Sequence, residues 1–523
     1  MRKVYLVSLV ALTAACAANP RPSASNVNPA KERTVIHLLS RTTFGPRAAD
    51  VDRLYSIGVA AFLDEQLHPE RISDEATDQR LRALTGLDIT ARRFFTDYYQ
   101  PMAMARQELT NARRVAAGSA RPPYVRWHLL PIAAMSLPGG DKPVSVVPQA
   151  EVTPEELRFQ RENQQVFDDL QAQKLLRAVY SMRQLQEVLT DFWFNHFNVD
   201  ARKIEDRPVV VEYERDVIRP RVFGRFRELL EATATSPAML FYLDNWLSTA
   251  AQKGPAPGRG LNENYGRELL ELHTLGVDGG YTQRDVVEVA RCFTGWTMAN
   301  PHDGMGFVFK PAMHDRGEKH VLGHTMKAGR GIEDGEEVLD ILARHPSTAR
   351  FIATKLARRF VADDPPRSLV DRVAKTFQHT DGDLREVMRT ILTSRELSAP
   401  PAYRAKVKSP LEYVASALRA TNASVRSPRA FAGTIAAMGE PLYQSQPPTG
   451  YADRAGAWIN AGTLVSRLNF ALALATNGMN AASVDAARGE EDLKRLLPDI
   501  RTDEPSAAIR TAVLLGSPAF QRR

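Results

Sequence analysis

The sequence predicts an all-α protein: one large multi-helix domain with long Gly/Pro-rich loops and at most one small β-hairpin. Three observations predict it. Apolar residues recur at helical spacing through Leu175, Val179, Met182, Leu185, Leu189, Phe192 and Trp193. Helix-start signals punctuate the chain, as in Thr153-Pro154-Glu155-Glu156, a capping box with proline at the first helical position. The sustained apolar–polar alternation of half-buried strands is missing. At 523 residues, 44% hydrophobic and 25% charged, the chain can bury a large core without disulfides or metals.

The N-terminus carries an address. Arg2 and Lys3 precede an apolar run over residues 4–15, which is too short to span a bilayer and has the length of a secretory core. It ends in Leu12-Thr13-Ala14-Ala15-Cys16. Small residues before a cysteine resemble a lipoprotein signal, in which Cys16 is lipidated and becomes the first mature residue. Thr13 stands where that pattern usually has Leu. The plain alternative is ordinary cleavage nearby, with Cys16 unmodified. Ala17 after the cysteine resembles the outer-membrane sorting pattern of Gram-negative lipoproteins. The expected organisation is a signal peptide at 1–15, a flexible tether rich in Ala, Asn, Pro and Ser at 16–31, and a single helical domain at 32–523. The expected location is the outer membrane, facing the periplasm or the cell surface, with the membrane as partner through Cys16.

Charge and cysteine content agree with that address. The formal charge of +7 falls to +5 when Arg2 and Lys3 leave, and acidic and basic residues are interleaved. No basic stripe marks a nucleic-acid surface. Cys16 and Cys292 are the two cysteines, so a disulfide framework is excluded; Cys292 reads as a small buried hydrophobe.

Further along, Thr282 is placed to cap a helix that ends before Gly295, and Ser347, after Pro346, starts one running through Val361. Asp383 with Glu386, and Ser409-Pro410 with Glu412, mark two more starts. Phe307-Val308-Phe309 and His320-Val321-Leu322 are placed to form the one small hairpin. Long loops rich in Gly or Pro fall at 136–149, 251–260, 299–331 and 439–456.

The zinc helix HExxH, the CxxC pair, the Walker loop, the GxGxxG turn and the GxSxG elbow are all missing. Other blocks are distinctive. Leu39-Ser40-Arg41-Thr42-Thr43-Phe44-Gly45 is followed by Phe192-Trp193-Phe194-Asn195-His196-Phe197. Then come Tyr265-Gly266-Arg267-Glu268-Leu269-Leu270-Glu271-Leu272, Tyr281-Thr282, Asp285-Val286, Phe293-Thr294-Gly295-Trp296 and His314-Asp315 with Lys319. Together they resemble the bacterial domain-of-unknown-function 1800 family over nearly all of the mature chain. The resemblance implies a mainly helical, often exported protein without an established activity. It implies, loosely, an envelope partner such as a sulfatase-like protein.

Asn264, Glu268 and Glu271 stand at i, i+4 and i+7 of a helix expected over 262–274, on one face, with Tyr265, Leu269 and Leu272 on the neighbouring apolar face. Two carboxylates one turn apart bind a metal or share a proton. The bland alternative is a solvated face with Arg267 at salt-bridge spacing. His196 continues an apolar stripe and reads as a ligand or as a satisfied core histidine, while Asn195 shares a different face with Asp191. His273 reads as a core histidine bonded to a backbone carbonyl. His302, His314, His320 and His324 crowd one loop with Asp315 beside His314; imidazole and carboxylate together suit metal or general-base chemistry, although a solvated loop explains them too. Trp296 suits a sugar-stacking platform or a lid on the core.

The resulting expectation is a metal-assisted or acid–base hydrolase of an envelope or extracellular polymer. Glu268, Glu271, His196, His314 and Asp315 would be its catalytic groups. Asn195, Asn264, Asp285, Trp296 and Lys319 would contact substrate, with a divalent metal as the conceivable cofactor. The alternative is a non-catalytic scaffold or binding module at the outer membrane. A haem reading has only His196 and His273 behind it and lacks CxxCH.

Overall fold

The computed structural model describes residues 29–116, 152–204, 207–250, 260–300 and 305–523. The signal segment, Cys16 and His302 lie outside these residues. The first described helix is Pro29–Thr42. The architecture is helical throughout, with three two-stranded antiparallel ribbons and no larger sheet among the described residues. No helix there is long and apolar enough to cross a membrane.

The capping signals locate the helices. Thr153 accepts from the Glu156 amide and opens the 27-residue helix Pro154–Tyr180. Thr282 and Asp285 form a reciprocal capping box for Gln283–Cys292, as do Ser409 and Glu412 for Pro410–Ala420, and Asp383 caps Leu384–Leu392. One cap is displaced by two residues: Pro346–Phe360 is opened by His345, whose ring nitrogen accepts from the Ser347 amide. The apolar stripe through residues 175–193 is divided between Pro154–Tyr180 and Gln184–His196. Met182, in the break, is exposed. Gln184 holds the junction together by donating to the Ser181 and Ala178 carbonyls and accepting from the Phe44 amide.

The expected hairpin is not formed. Phe307–Phe309 pairs with Trp296–Met298, and Lys319–Val321 pairs with His324–Met326, giving two separate ribbons. Left-handed Leu322 and Gly323 make the tight turn of the second. In the second ribbon, local pairing across the turn at Leu322 and Gly323 won over the longer closure that the sequence suggested.

The helix expected over 262–274 is also altered. It is α-helical over Glu263–Glu268 and becomes a π-turn over Leu269–Thr274, closed by a bond from the Leu275 amide to the Leu270 carbonyl. The added residue rotates the following side chains. Leu270, His273 and Thr274 enter the core, whereas Leu272, expected on the apolar face, is partly exposed.

A chain of alternating buried charges ties the centre together. Lys174 lies 2.9 Å from Asp191 and 3.4 Å from Glu214; Arg219 bonds Glu214 at 2.9 Å and also bonds Glu187. Burial alone would lower the Lys174 amine, but Asp191 and Glu214 hold it above its ordinary value.

Elsewhere the packing is close enough to exclude a methyl group. Gly335 lies against the buried Trp296 indole, and a Cβ there would sit 2.5 Å from the ring. Gly335→Ala is expected to lower the unfolding free energy by about 1–3 kcal/mol through overpacking. This outweighs the roughly 1 kcal/mol helix preference of alanine. A denaturant midpoint equal to or above that of the unsubstituted protein would contradict it.

Candidate functional site

The sequence-derived candidates fall into three separate settings. Among the described residues, no hydrogen bond or ion pair joins Glu268 or Glu271 to His196, His314 or Asp315.

The first setting is the carboxylate pair at the start of the π-turn. Glu268 and Glu271 are both partly exposed. Burial, then the nearby Glu271 charge, pushes the Glu268 carboxyl above its ordinary value, with Arg267 opposing. Glu271 accepts a 3.1 Å hydrogen bond from the Tyr281 hydroxyl. Burial and then Glu271 push the Tyr281 phenol up to about 12. Tyr242, on the other flank, has its phenol raised by burial, then by Asp200, with Glu268 contributing. Asn264 is exposed near the helix start, where its amide donates to the Asn262 side chain.

The second setting contains His314, Asp315 and Lys319; the His314 and Lys319 side chains meet on Asp334, while Asp315 offers Lys319 only its backbone carbonyl. His314 Nδ1 donates to the Thr294 carbonyl at 2.8 Å, and its Nε2 lies 3.3 Å from Asp334. Lys319 bonds the same Asp334 oxygen at 2.6 Å and also donates to the Asp315 and Gly317 carbonyls. Arg330 Nε lies 3.0 Å from the other Asp334 oxygen without the alignment of a hydrogen bond. The side chains of His314, Lys319 and Asp334 are fully buried. Asp315 points elsewhere and is held at both oxygens by Arg291. Asp285, the helix cap, also accepts from the Leu322 amide. Trp296 is buried between Phe293 and Phe307, as a lid on the core.

Asp334 and Arg291 complete this cluster and were not singled out by sequence. Asp334 follows the ribbon at a helix start, where an acidic residue reads as an ordinary dipole complement. The cluster fastens the 307–326 ribbons to the helices Gln283–Cys292 and Glu333–Arg344. Burial alone would raise the Asp334 carboxyl, but hydrogen bonds from His314 and Lys319 hold it below its ordinary value.

The third setting is aromatic. His196 is 1% exposed, packed against Trp193 and Phe197, and donates through Nε2 to the His273 carbonyl at 3.1 Å. His273 is buried too, and its Nε2 lacks the carbonyl partner expected from sequence. Burial, then the Lys355 charge, drives both imidazoles down, His273 to about 3. Both stay neutral at physiological pH.

Behind these rings lies a group that sequence reasoning missed. Lys355 is partly exposed, yet burial pushes its amine down to about 8, against the pull of Asp453; its Nζ lies 5.5 Å from the Phe351 ring centre. Glu440 is pushed up to about 8 by burial and by Asp191. Asn195 clamps the 439–456 loop nearby: its Nδ2 donates to the Tyr451 carbonyl at 2.8 Å, and its Oδ1 accepts from the Tyr451 amide at 2.7 Å. Asn195 thus positions a loop, and Gly450 sits where any Cβ would collide with it. Lys355 lies on an unremarkable amphipathic helix and Asp453 in a loop, so only folding reveals their proximity.

No group of three or more His, Cys, Asp or Glu side chains among the described residues is arranged to hold a metal ion. The arrangement best suited to chemistry is the partly exposed carboxylate pair, because solvent reaches it and its members have unlike surroundings.

Two stability outcomes follow. Lys319→Met leaves Asp334 buried with its closest cation gone, and is expected to cost about 3–5 kcal/mol. Chemical denaturation checks this, and adding Asp334→Leu should restore much of the loss. For His196 and His273, folded values lie below the unfolded 6.5. Their contribution is therefore complete above pH 6.5 and is lost as pH falls toward the folded values. Each should weaken folding by about 1.4 kcal/mol per pH unit in that window. His273→Leu should flatten the slope of urea-derived stability between pH 6 and 4; an unchanged slope would overturn the assignment.

The family model described as Protein of unknown function (DUF1800) matches residues 37–522. No curated protein and no solved structure matches the chain. With the match running over nearly its whole length, the chain belongs to the DUF1800 family.

Proposed function

We propose that this protein is an exported, lipid-anchored envelope protein whose helical domain carries out acid–base hydrolysis of an envelope or extracellular polymer. Glu268 is the acid and Glu271 its partner. One observation carries the chemistry: two accessible carboxyl groups stand three residues apart in unlike surroundings. Glu268 is pushed toward the protonated form, and Glu271 is held by Tyr281. A raised carboxyl keeps its proton available to a leaving group, while an oriented neighbour accepts one from water. The anchor rests on the Arg2–Lys3 segment, the short apolar run and the small residues before Cys16.

A second reading, a non-catalytic scaffold or binding module, is favoured by the sealed positions of His314 and His196 and by the pairing of Asp315 with Arg291. Those three side chains have structural duties that need no reaction to explain them.

The test separates the two. Purified protein is incubated with isolated cell-wall polysaccharide, and release of reducing ends is followed. Glu268→Gln is expected to lower the rate about 100-fold or more, with an unchanged melting temperature. Activity should decline as pH rises through the elevated Glu268 value, because the acid must be protonated. No release by the unsubstituted protein, or equal release by the variant, would favour the scaffold.

A further inference from the structure

The alternation of buried charges that orders the centre of the molecule lapses where three arginines gather. Arg41, Arg359 and Arg523 are 0%, 6% and 3% exposed and converge from three distant parts of the chain. Glu412 pairs with two of them, Arg359 and Arg523. Arg359 Nη1 bonds it at 2.5 Å and Arg523 Nε at 3.1 Å. Arg41 spends one nitrogen on the Ala402 carbonyl. Its Nε and Nη1, with Nη2 of Arg359 and Nη2 of Arg523, are buried donors without a partner. The charges of Arg523 and Arg359 oppose that of Arg41. Asp453 is the second negative charge nearby: its Oδ1 pairs with Lys406 at 2.9 Å, and its Oδ2 is buried without a hydrogen bond.

Lys408 adds to the excess. It is 4% exposed, donates to Ser416 Oγ at 3.0 Å and lies 3.7 Å from the Phe520 ring centre. No carboxylate is within ion-pairing distance of it among the described residues. Burial pushes its amine down to about 7, with Glu412 opposing. Beside Arg523 and Lys408 is a cavity of about 30 Å³, lined also by His37, Tyr403, Arg404 and Arg522 and by no Asp or Glu side chain; Arg41 and Arg359 lie outside its wall. That is room for a small polar group and no more. Buried cations that outnumber their anions call for a counter-charge. Planar guanidinium donors and a lysine match an oxyanion in shape and charge.

We propose that this cavity binds a small oxyanion of the phosphate or sulfate class, either free or as the terminal group of a larger envelope molecule. The site is separate from the Glu268–Glu271 pair and does not depend on its chemistry.

The experiment uses the full-length protein and inorganic phosphate as probe. Its melting temperature is followed in phosphate and in chloride at equal ionic strength, and affinity is measured by calorimetry. Phosphate should raise the melting temperature in a saturable manner where chloride does not. Lys408→Met should weaken binding at least tenfold. Arg404→Ala, at a partly exposed position in the cavity wall that a folded protein tolerates, should weaken it several-fold. Glycerol phosphate separates the sources. Binding as tight as that of inorganic phosphate indicates an esterified group, and binding of inorganic phosphate alone indicates the free ion; either supports the site. Equal effects of phosphate and chloride, or phosphate binding unchanged in both variants, would mean an adventitious ion only and would overturn the proposal. Glu268→Gln should bind phosphate normally.

Discussion

A charge taken into this protein's interior must meet its opposite, and that constraint organises the rest of the fold. Glu214 is 1% exposed and would be protonated by burial, yet Lys174 and Arg219 hold its carboxyl below the ordinary value. Lys174 rises from the long Pro154–Tyr180 helix, Asp191 and Glu187 from Gln184–His196, and Glu214 from the π-turn Tyr213–Ile218. Each ion therefore fixes the spacing between two segments, and removing any one would strand its neighbour. Tyr443 extends the chain by donating to Glu214 at 2.7 Å, which reaches the loop that Asn195 clamps. The same rule explains the His314–Asp334–Lys319 cluster. It also explains why the Arg41–Arg359–Arg523 group, where two of three arginines share Glu412 and several guanidinium nitrogens have no partner, stands out from its surroundings.

Much of the fold was legible because helix ends are local events. Thr153, Thr282, Asp383 and Ser409 each declare a helix within four residues, and the side chain that caps is the one the sequence presents. The ribbons were not legible. Phe307–Phe309 and His320–Leu322 have strand composition, but their partners, Trp296–Met298 and His324–Met326, are chosen by turn geometry and by packing on Phe293 and Cys292. The candidate site was partly legible for the same reason. His314 and Lys319 do belong together, but the carboxylate that joins them, Asp334, looked like any acidic residue opening a helix. Lys355 and Glu440 acquire unusual proton affinities from desolvation by segments distant in sequence, which no residue spacing encodes.

The π-turn at Leu269–Thr274 links the core to the surface. A continuous α-helix from Glu263 would have carried Leu272 inward. The wider turn carries in Leu270 instead and keeps His273 buried, and the His273 carbonyl accepts from His196. On the opposite side, the same deformation leaves Glu268 at the last α-helical position and Glu271 within the turn, where the Tyr281 hydroxyl reaches it. Turns of this kind weaken a helix, and they persist where neighbouring packing fixes them. Here the fixing contacts are identifiable. Gly266 lets the backbone of Gln283–Cys292 come so close that a Cβ would lie 3.0 Å from the Val286 carbonyl, and left-handed Gly276 ends the turn against the Phe351 ring. The positions of Glu271 beside Tyr281 and of the His273 carbonyl beside His196 are thus both set within this one turn. A substitution that regularised this helix would disturb both together, even though the groups never touch.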